Sequence, residues 1–389
     1  MSDNKQPKIG LFLGAGASVP FGKPTTKELR AELIDEYSKR PKTNDPEGWL
    51  NRLLYSILSF DKFEDIEHVL QSLKEIDDFF LKSQQYGGRY LQSIIHEYSP
   101  DIYVKYQFSE YLKLTEPQRK RIEEHIFHKY RWERAYDEAL GQVYEPLFGE
   151  IKKYSKDVIH VFTTNYDRAI EMYCSKPDRK CRRIDGFRVD EYTKTSIWDG
   201  NFDYPLVDGI TNVCLYKLHG SLNWKKHESG RIEATIEETP ISDPNYVEDM
   251  LIYPTLSPKG GQEFEPYKTI REKFKKFMDK VGICIVIGFS FRDEHINSIF
   301  SDFLKFGKRT LIVVSRSAGK NIEGNLLGKA ELARAKKTSR NDDKKIKIYD
   351  LDGSKILAIN YRITARDAEK IVTHKIGSHL SSPTAQRAP

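Results

Sequence analysis

The chain has 389 residues, 39% of them hydrophobic and 31% charged, with a formal net charge of +6. That is a globular composition with core material for one large domain or two ordinary ones. Its longest nearly unbroken apolar run, 281–289, is about half what a bilayer crossing needs, and the opening MSDNKQPK lacks a hydrophobic signal core. Membrane insertion and secretion are therefore not expected, and a cytoplasmic location is.

In chain order, Lys8–Leu13 reads as a short buried strand ending at Gly14. From Thr25 to about Ser155 the pattern is mostly helical. Leu29, Leu33 and Tyr37 fall at i, i+4 and i+8, and Phe63, Ile66, Val69, Leu70, Leu73 and Ile76 continue that period. Gly87-Gly88 breaks it, Thr115-Glu-Pro117 looks like a helix start, and Pro146 is expected to bend or end a helix running to about Ile151. After Asp157 the texture changes. Val158–Thr163, Val213–Leu218, Leu251–Tyr253, Ile283–Ile287 and Thr310–Val314 are short apolar or β-branched runs. Helical stretches at Tyr267–Lys280 and Asp293–Phe306 separate several of them. The expected fold is α/β: a Rossmann-like, mostly parallel sheet flanked by helices, with a large helical insertion after the first strand. The expected domains are a core of 8–24 and 157–376, an insertion of 25–156 and a disordered tail of 377–389.

The four cysteines, Cys174, Cys181, Cys214 and Cys284, contain no CxxC pair, so no disulfide framework is implied. Two of them lie inside apolar runs, where cysteine is usually a small buried hydrophobe. Eight Lys or Arg between Lys329 and Lys347 face only Glu331, Asp342 and Asp343. This basic segment reads either as a solvated helix or loop or as a contact for nucleic acid or an acidic partner.

Four motifs stand at expected strand ends. Gly14-Ala15-Gly16-Ala17-Ser18 lets the backbone turn sharply, approach a phosphate and offer the N–H groups of a helix start. It lacks the third glycine of the dinucleotide fingerprint, so an ordinary strand-to-helix turn is the alternative. Thr163-Thr164-Asn165-Tyr166-Asp167 leaves a strand for a helix: Asn165 and Asp167 either cap that helix or grip a ribose and a water. Lys217-Leu218-His219-Gly220-Ser221 places a histidine, structural or a base working near neutrality, just past a strand. In Ile287-Gly288-Phe289-Ser290-Phe291-Arg292-Asp293, Gly288 and Ser290 end a strand and Asp293 opens a helix. Ligands of open parallel sheets bind at the carboxyl ends of strands, and all four motifs fall there.

Together GAGAS, TTNYD, KLHGS and IGFSFRDEHI, in this order over roughly 9–315, resemble the sirtuin-like family. FEDIEHVL at 63–70 is similar to a segment of its bacterial anti-phage defence branch. The resemblance implies a Rossmann-like NAD-binding core. It places Gly14, Ala15, Gly16 and Ser18 around the diphosphate, with Asn165 and Asp167 near the nicotinamide ribose. It makes His219 the catalytic histidine and puts Ser290 on the adenosine side, with Thr164 and Gly288 among the cofactor-binding residues. The sequence also departs from protein-deacylating sirtuins. The two CxxC pairs of their zinc module are absent, and Phe21–Thr26 stands where an acidic-aromatic-arginine stretch is usual. Near Val314-Ser315-Arg316 the asparagine expected for the adenosine ribose is missing. The departures match the branch that hydrolyses NAD outright, with Asn165, His219 and Asp167 as catalytic residues and no metal. The resemblance further implies an abortive-infection effector and a hexameric HerA-type ATPase as partner, and the aromatic content of the helical insertion, more than a thin capping layer needs, points to a homo-oligomer. An NAD-dependent deacylase and a non-catalytic NAD or ADP-ribose sensor are the alternatives.

Overall fold

The computed structural model describes residues 8–43, 46–60, 66, 69, 120–131, 136–155, 158–190, 195–235, 246–251, 264–305, 307–340, 343–351, 354–361, 364 and 368–377. The chain divides into two compact units, one of residues 1–23, 130–252 and 261–389, the other of 24–129 and 253–260.

Strand β1 (Ile9–Leu13) belongs to the first unit and is buried along its whole length. In the second unit, helix α1 (Thr26–Ser38) starts at a capping box in which Thr25 and Glu28 satisfy each other's backbone N–H groups. Leu29, Leu33 and Tyr37 form its buried stripe, as their spacing predicts. Helix α2 (Pro46–Leu58) follows, and a helical segment occupies 120–130. Within this unit Arg30 Nε donates to the carbonyl of Leu58 at 2.7 Å, tying α1 to the end of α2. Gly87-Gly88, Thr115–Pro117 and most of the apolar period from Phe63 to Ile76 lie outside the described residues, as do 378–389 of the expected tail.

The chain then returns to the first unit through α3 (Asp137–Lys152), which runs through Pro146 without ending there. Proline removes one helical hydrogen bond, but eight residues of α3, Leu147, Phe148 and Ile151 among them, are buried, and that packing holds the helix together. Strand β2 (Val158–Thr163) leads through the TTNYD motif into α4 (Ala169–Cys174) and β3 (Cys181–Ile184). Three short strands follow in alternation with the next sheet elements: β4 (Phe187–Val189), β5 (Ser196–Trp198), then β6 (Thr211–Lys217), β7 (Gly220–His227), β8 (Ile232–Ala234) and β9 (Tyr246–Leu251). The last stretch holds α5 (Tyr267–Met278), β10 (Ile283–Ile287), α6 (Glu294–Lys305), β11 (Thr310–Ser315), α7 (Ala318–Asn321), α8 (Lys329–Arg334), β12 (Lys336–Arg340), β13 (Asp343–Leu351) and β14 (Ser354–Asn360).

The main sheet has nine strands in the order β12-β13-β14-β11-β10-β1-β2-β6-β3. Every neighbouring pair from β14 to β3 is parallel; only β12–β13 and β13–β14 are antiparallel. This is the expected α/β fold, a mostly parallel sheet flanked by helices. Side chains alternate between its faces. Phe12 faces one apolar cluster with Phe162, Phe274 and Phe300, while Leu11 and Leu13 face another with Leu140, Leu147 and Val161.

Two sequence expectations are corrected. Of the strand foreseen at Leu251–Tyr253 only Leu251 lies within the described residues; it ends Tyr246–Leu251, which joins a separate antiparallel sheet, β4-β5-β8-β7-β9, instead of the parallel one. The basic stretch 329–347 is neither helix nor loop throughout. Beyond the six-residue α8 it forms β12 and the start of β13, on the edge of the main sheet.

Candidate functional site

The four motifs meet at one edge of the main sheet because of strand register. Leu13 aligns with Thr163 on β2 and with Ile287 on β10; Thr163 aligns with Lys217 on β6, and Ile287 with Val314 on β11. Residues just past these positions therefore leave the sheet side by side. Chain direction along the sheet also changes at β1, with β2 on one flank and β10 on the other, which is where ligands of doubly wound folds bind.

The Gly-rich loop does not lead straight into an α-helix, as the sequence suggested. It forms a 3₁₀ turn, Ala15–Ala17, and the first α-helix begins only at Thr26. Its glycines serve close backbone packing. Gly14 N–H donates to the carbonyl of Ile287 at 2.9 Å and Gly16 N–H to that of Gly288 at 2.9 Å. A Cβ on Gly16 would lie 2.8 Å from Gly288 Cα. Gly288 has φ +68°, and a Cβ there would sit 2.3 Å from Ala17 N. Two motifs 270 residues apart are thus locked together by glycines that no larger residue can replace.

Asn165 is held by a chain of hydrogen bonds. Its Nδ2 donates to the carbonyl of Gly14 at 3.0 Å and to Ser18 Oγ at 2.9 Å. Ser18 in turn donates to Asp167 Oδ2 at 2.6 Å, and Asp167 Oδ1 accepts from the Ala169 N–H at 3.0 Å. Two acceptors for the amide nitrogen fix which end of the side chain is which. The other end, Oδ1, is buried with no hydrogen-bond partner. Thr163 Oγ1 bonds the Leu13 carbonyl and the Asn165 N–H, and the Thr164 N–H also donates to Leu13 O. Both residues pin this turn to β1.

Beneath the turn lies Lys217, 1% exposed. Its Nζ donates to the carbonyls of Tyr166 and Asp167 and to Glu171 Oε1 at 3.0 Å. Burial works against the Glu171 charge, but Lys217, Arg183 and Arg168 together hold its pKa below the ordinary value. The motif lysine is thus a bracket for the TTNYD backbone.

His219 occupies the corner where β6 of the parallel sheet ends and β7 of the antiparallel sheet begins. Gly220 makes the corner, with φ +86° and only 2.0 Å between an ideal Cβ and the Met250 carbonyl. His219 is 6% exposed, and its Nε2 lies 3.0 Å from Asp293 Oδ2. Burial opposes ionisation of Asp293, but the His219 hydrogen bond and charge, the Ile296 N–H and His295 hold its pKa below the usual value. An ionised carboxylate accepts, so Nε2 carries a proton, and in the uncharged imidazole Nδ1 is an acceptor. That Nδ1 is buried and has no partner.

Two unpartnered acceptors, Asn165 Oδ1 and His219 Nδ1, thus stand two residues past aligned positions on neighbouring strands, which run about 5 Å apart. Buried acceptors without donors are uncommon, and here they suit hydroxyl or water hydrogens of a ligand. Of the remaining residues picked from sequence, Gly288 N–H donates to Val314 O at 2.9 Å. Ser290 Oγ accepts from Arg292 Nε at 3.2 Å, and the Ser290 carbonyl accepts from Asn325 at 2.8 Å, so Ser290 bonds to none of the other motifs here. Asp293, read from sequence only as a helix opener, also caps α6 through Ile296 at 3.0 Å. Asn297 donates to the carbonyl of Phe291, a buried non-glycine residue at φ +57° in the same loop.

Residues 159–348 match the family model described as SIR2-like domain. That match spans just under half of the chain. All of the site except the Gly-rich loop falls inside it. No curated protein matches the chain. Among solved structures, a Sir2 homologue mutant in complex with ADP-ribose is similar with a TM-score of 0.42 and 11% identity, over 97% of this chain and 96% of that one. A Sir2–p53 peptide–NAD+ complex is similar with a TM-score of 0.35 and 13% identity, over 95% and 94%.

Proposed function

We propose that this protein hydrolyses NAD to nicotinamide and ADP-ribose, and that it is an effector of anti-phage defence acting by NAD depletion. The observation that carries the reading is the pair of unpartnered buried acceptors, Asn165 Oδ1 and His219 Nδ1, beside a Gly-rich loop in a SIR2-like site. Breaking the nicotinamide–ribose bond sends its electron pair to the ring nitrogen and leaves an oxocarbenium-like ribose carbon. Water then bonds to that carbon. His219 Nδ1 accepts a proton from this water or from a ribose hydroxyl, a role typically worth roughly 10²–10⁴ in rate. Asn165 Oδ1 accepts from the other, and Asp167 fixes Asn165 through Ser18. Gly14, Ala15, Gly16 and Ser18 border the diphosphate, with Thr164, Gly288 and Ser290 along the same edge. Water is favoured over an acyl-lysine as acceptor because the sequence has no CxxC pair to build a deacylase zinc module.

The test is NAD consumption by purified protein beside Asn165→Ala and His219→Ala, each alone and with a hexameric HerA-type ATPase, the proposed partner. ADP-ribose formed by the wild type and neither variant supports the reading. NAD bound but never turned over would overturn it in favour of a sensor, and O-acyl-ADP-ribose released from an acylated peptide would make the protein a deacylase. Self-assembly is part of the proposal, so a monomeric mass in light scattering at micromolar protein counts against it. A nucleic-acid contact through 329–347 would give affinity that falls steeply with salt.

A further inference from the structure

Between β10 and α6 the chain runs from Gly288 to Asp293 without regular structure. Two residues of this loop are left-handed, Gly288 at φ +68° and Phe291 at φ +57°. Such a path offers the loop's carbonyls no backbone ladder to join, and carbonyls shielded from water need donors. Here successive carbonyls are met from outside the loop. Gly16 N–H donates to Gly288 O at 2.9 Å. Asparagine side chains take the next ones in turn. Asn321 Nδ2 reaches Phe289 O at 3.4 Å, Asn325 Nδ2 donates to Ser290 O at 2.8 Å, and Asn297 Nδ2 donates to Phe291 O.

The spacing of the asparagines makes this possible. Asn321 and Asn325 stand one helical turn apart on the stretch formed by α7 and the turn Ile322–Leu326, so both amides leave the same side. Asn297 lies in the first turn of α6, and its Nδ2 also donates to the Asn325 carbonyl at 3.2 Å, which joins the two holders. Left-handed backbone is unfavourable for a residue with a Cβ and persists only where the surroundings over-determine it. Phe291 is held at both ends. Its ring is fully buried, with centroids 5.1 Å from Phe289 and 5.5 Å from Phe300, while Asn297 holds its carbonyl. Two residues further on, Asp293 Oδ2 meets His219 Nε2 at 3.0 Å.

We infer that Asn297 and Asn325 are positioning residues for His219: their amides hold the 288–293 loop in the left-handed path from which Asp293 reaches the imidazole. Without them Phe291 relaxes toward an ordinary φ, and Asp293 moves with the backbone. His219 stays on its corner between β6 and β7 but loses the acceptor that fixes its Nε2 proton. The consequence for turnover rests on the NAD hydrolase reading, whereas the consequence for the His219 ring rests on the loop geometry alone.

The experiment compares full-length wild type with Asn297→Ala, Asn325→Ala and Asn212→Ala. Asn212 is a buried asparagine that bonds Val207 at the end of β6 opposite the site, and it serves as the control. Imidazole ¹⁵N spectra are recorded for each protein, with kcat and KM for NAD beside them. In both loop variants the His219 signals are expected to move from the Nε2–H tautomer toward a mixture of the two, while Asn212→Ala matches the wild type. A misplaced acid–base group should lower kcat roughly ten- to a hundredfold and leave KM within about twofold. The inference is overturned if the His219 signals of both loop variants superimpose on the wild type's, if Asn212→Ala shifts them equally, or if KM rises while kcat holds. Asn325 is exposed, so Asn325→Ala decides the matter where Asn297→Ala fails to fold. A wild type that leaves NAD intact strikes the hydrolase reading, and the ring spectra then decide this inference by themselves.

Discussion

At the scale of single residues, the candidate site turns on which nitrogen of His219 is left without a partner. Asp293 decides this by accepting from Nε2, and an amide in its place can also donate, which admits the opposite tautomer. Under the proposed function, Asp293→Asn is therefore expected to cut NAD turnover by roughly 10²-fold or more, on the scale of a misplaced acid–base group. Fold stability and NAD affinity should change far less. The checks are the pH profile of turnover and the imidazole ¹⁵N shifts of His219; an unchanged tautomer in the variant would remove Asp293 from the mechanism. Much of this was readable from sequence. Asn165, Asp167 and His219 announce themselves by standing next to strand ends. The Asp293 partnership was hidden because it spans 74 positions and because an aspartate at a helix start already has a sufficient local reason, which it also fulfils at Ile296.

At the scale of elements, the corner between β6 and β7 is the most demanding piece of backbone. Gly220→Ala places a Cβ at φ +86° against the Met250 carbonyl, so a cost of about 2 kcal/mol or more is expected, measured by urea unfolding. His219 should lose its alignment with Asp293 at the same time. The Lys217–Glu171 pair supports the neighbouring turn. Lys217→Met takes the direct partner from a buried carboxylate, leaving only Arg183 and Arg168 to offset its charge, and should cost up to about 3–5 kcal/mol, whereas adding Glu171→Leu should recover most of it. A double-mutant cycle with no recovery would mean that the two Tyr166 and Asp167 carbonyls, not the ion pair, dominate. The parallel strands were legible because each is a short apolar run with glycine or a polar motif behind it. The antiparallel sheet was not: β4, β5 and β8 are three residues long, too short to show a period of two, and their pairing is set by tertiary contact.

For the whole molecule, acid is the informative variable. His160 stacks on Tyr216 and lies tilted against Phe277, and burial, with a smaller contribution from Lys8, pushes its pKa down to about 4. The unfolded chain, with an ordinary value of 6.5, binds the proton first. Stability is then complete above pH 6.5 and drains away as the pH falls from there toward 4. Glu171 and Asp293, with pKa values held low, add a second loss below their ordinary values of 4.5 and 3.8. Urea midpoints between pH 4 and 7 should fall on acidification for the wild type and much less for His160→Phe; equal slopes would assign the acid response to other groups. The lysine-rich strand β12 at the sheet rim is also a whole-molecule feature: charge on an edge strand discourages pairing with a second sheet.

The burial of Lys217 gives the site its own reporter. Most described lysines are at least partly exposed to an acylating reagent, but Lys217 is covered while the turn that holds Asn165 is intact. Its footprint therefore acts as a clock for that turn alone. Modification at Lys217 counts the moments when the sheet edge comes apart, separately from global unfolding and without any need for the protein to turn over a substrate.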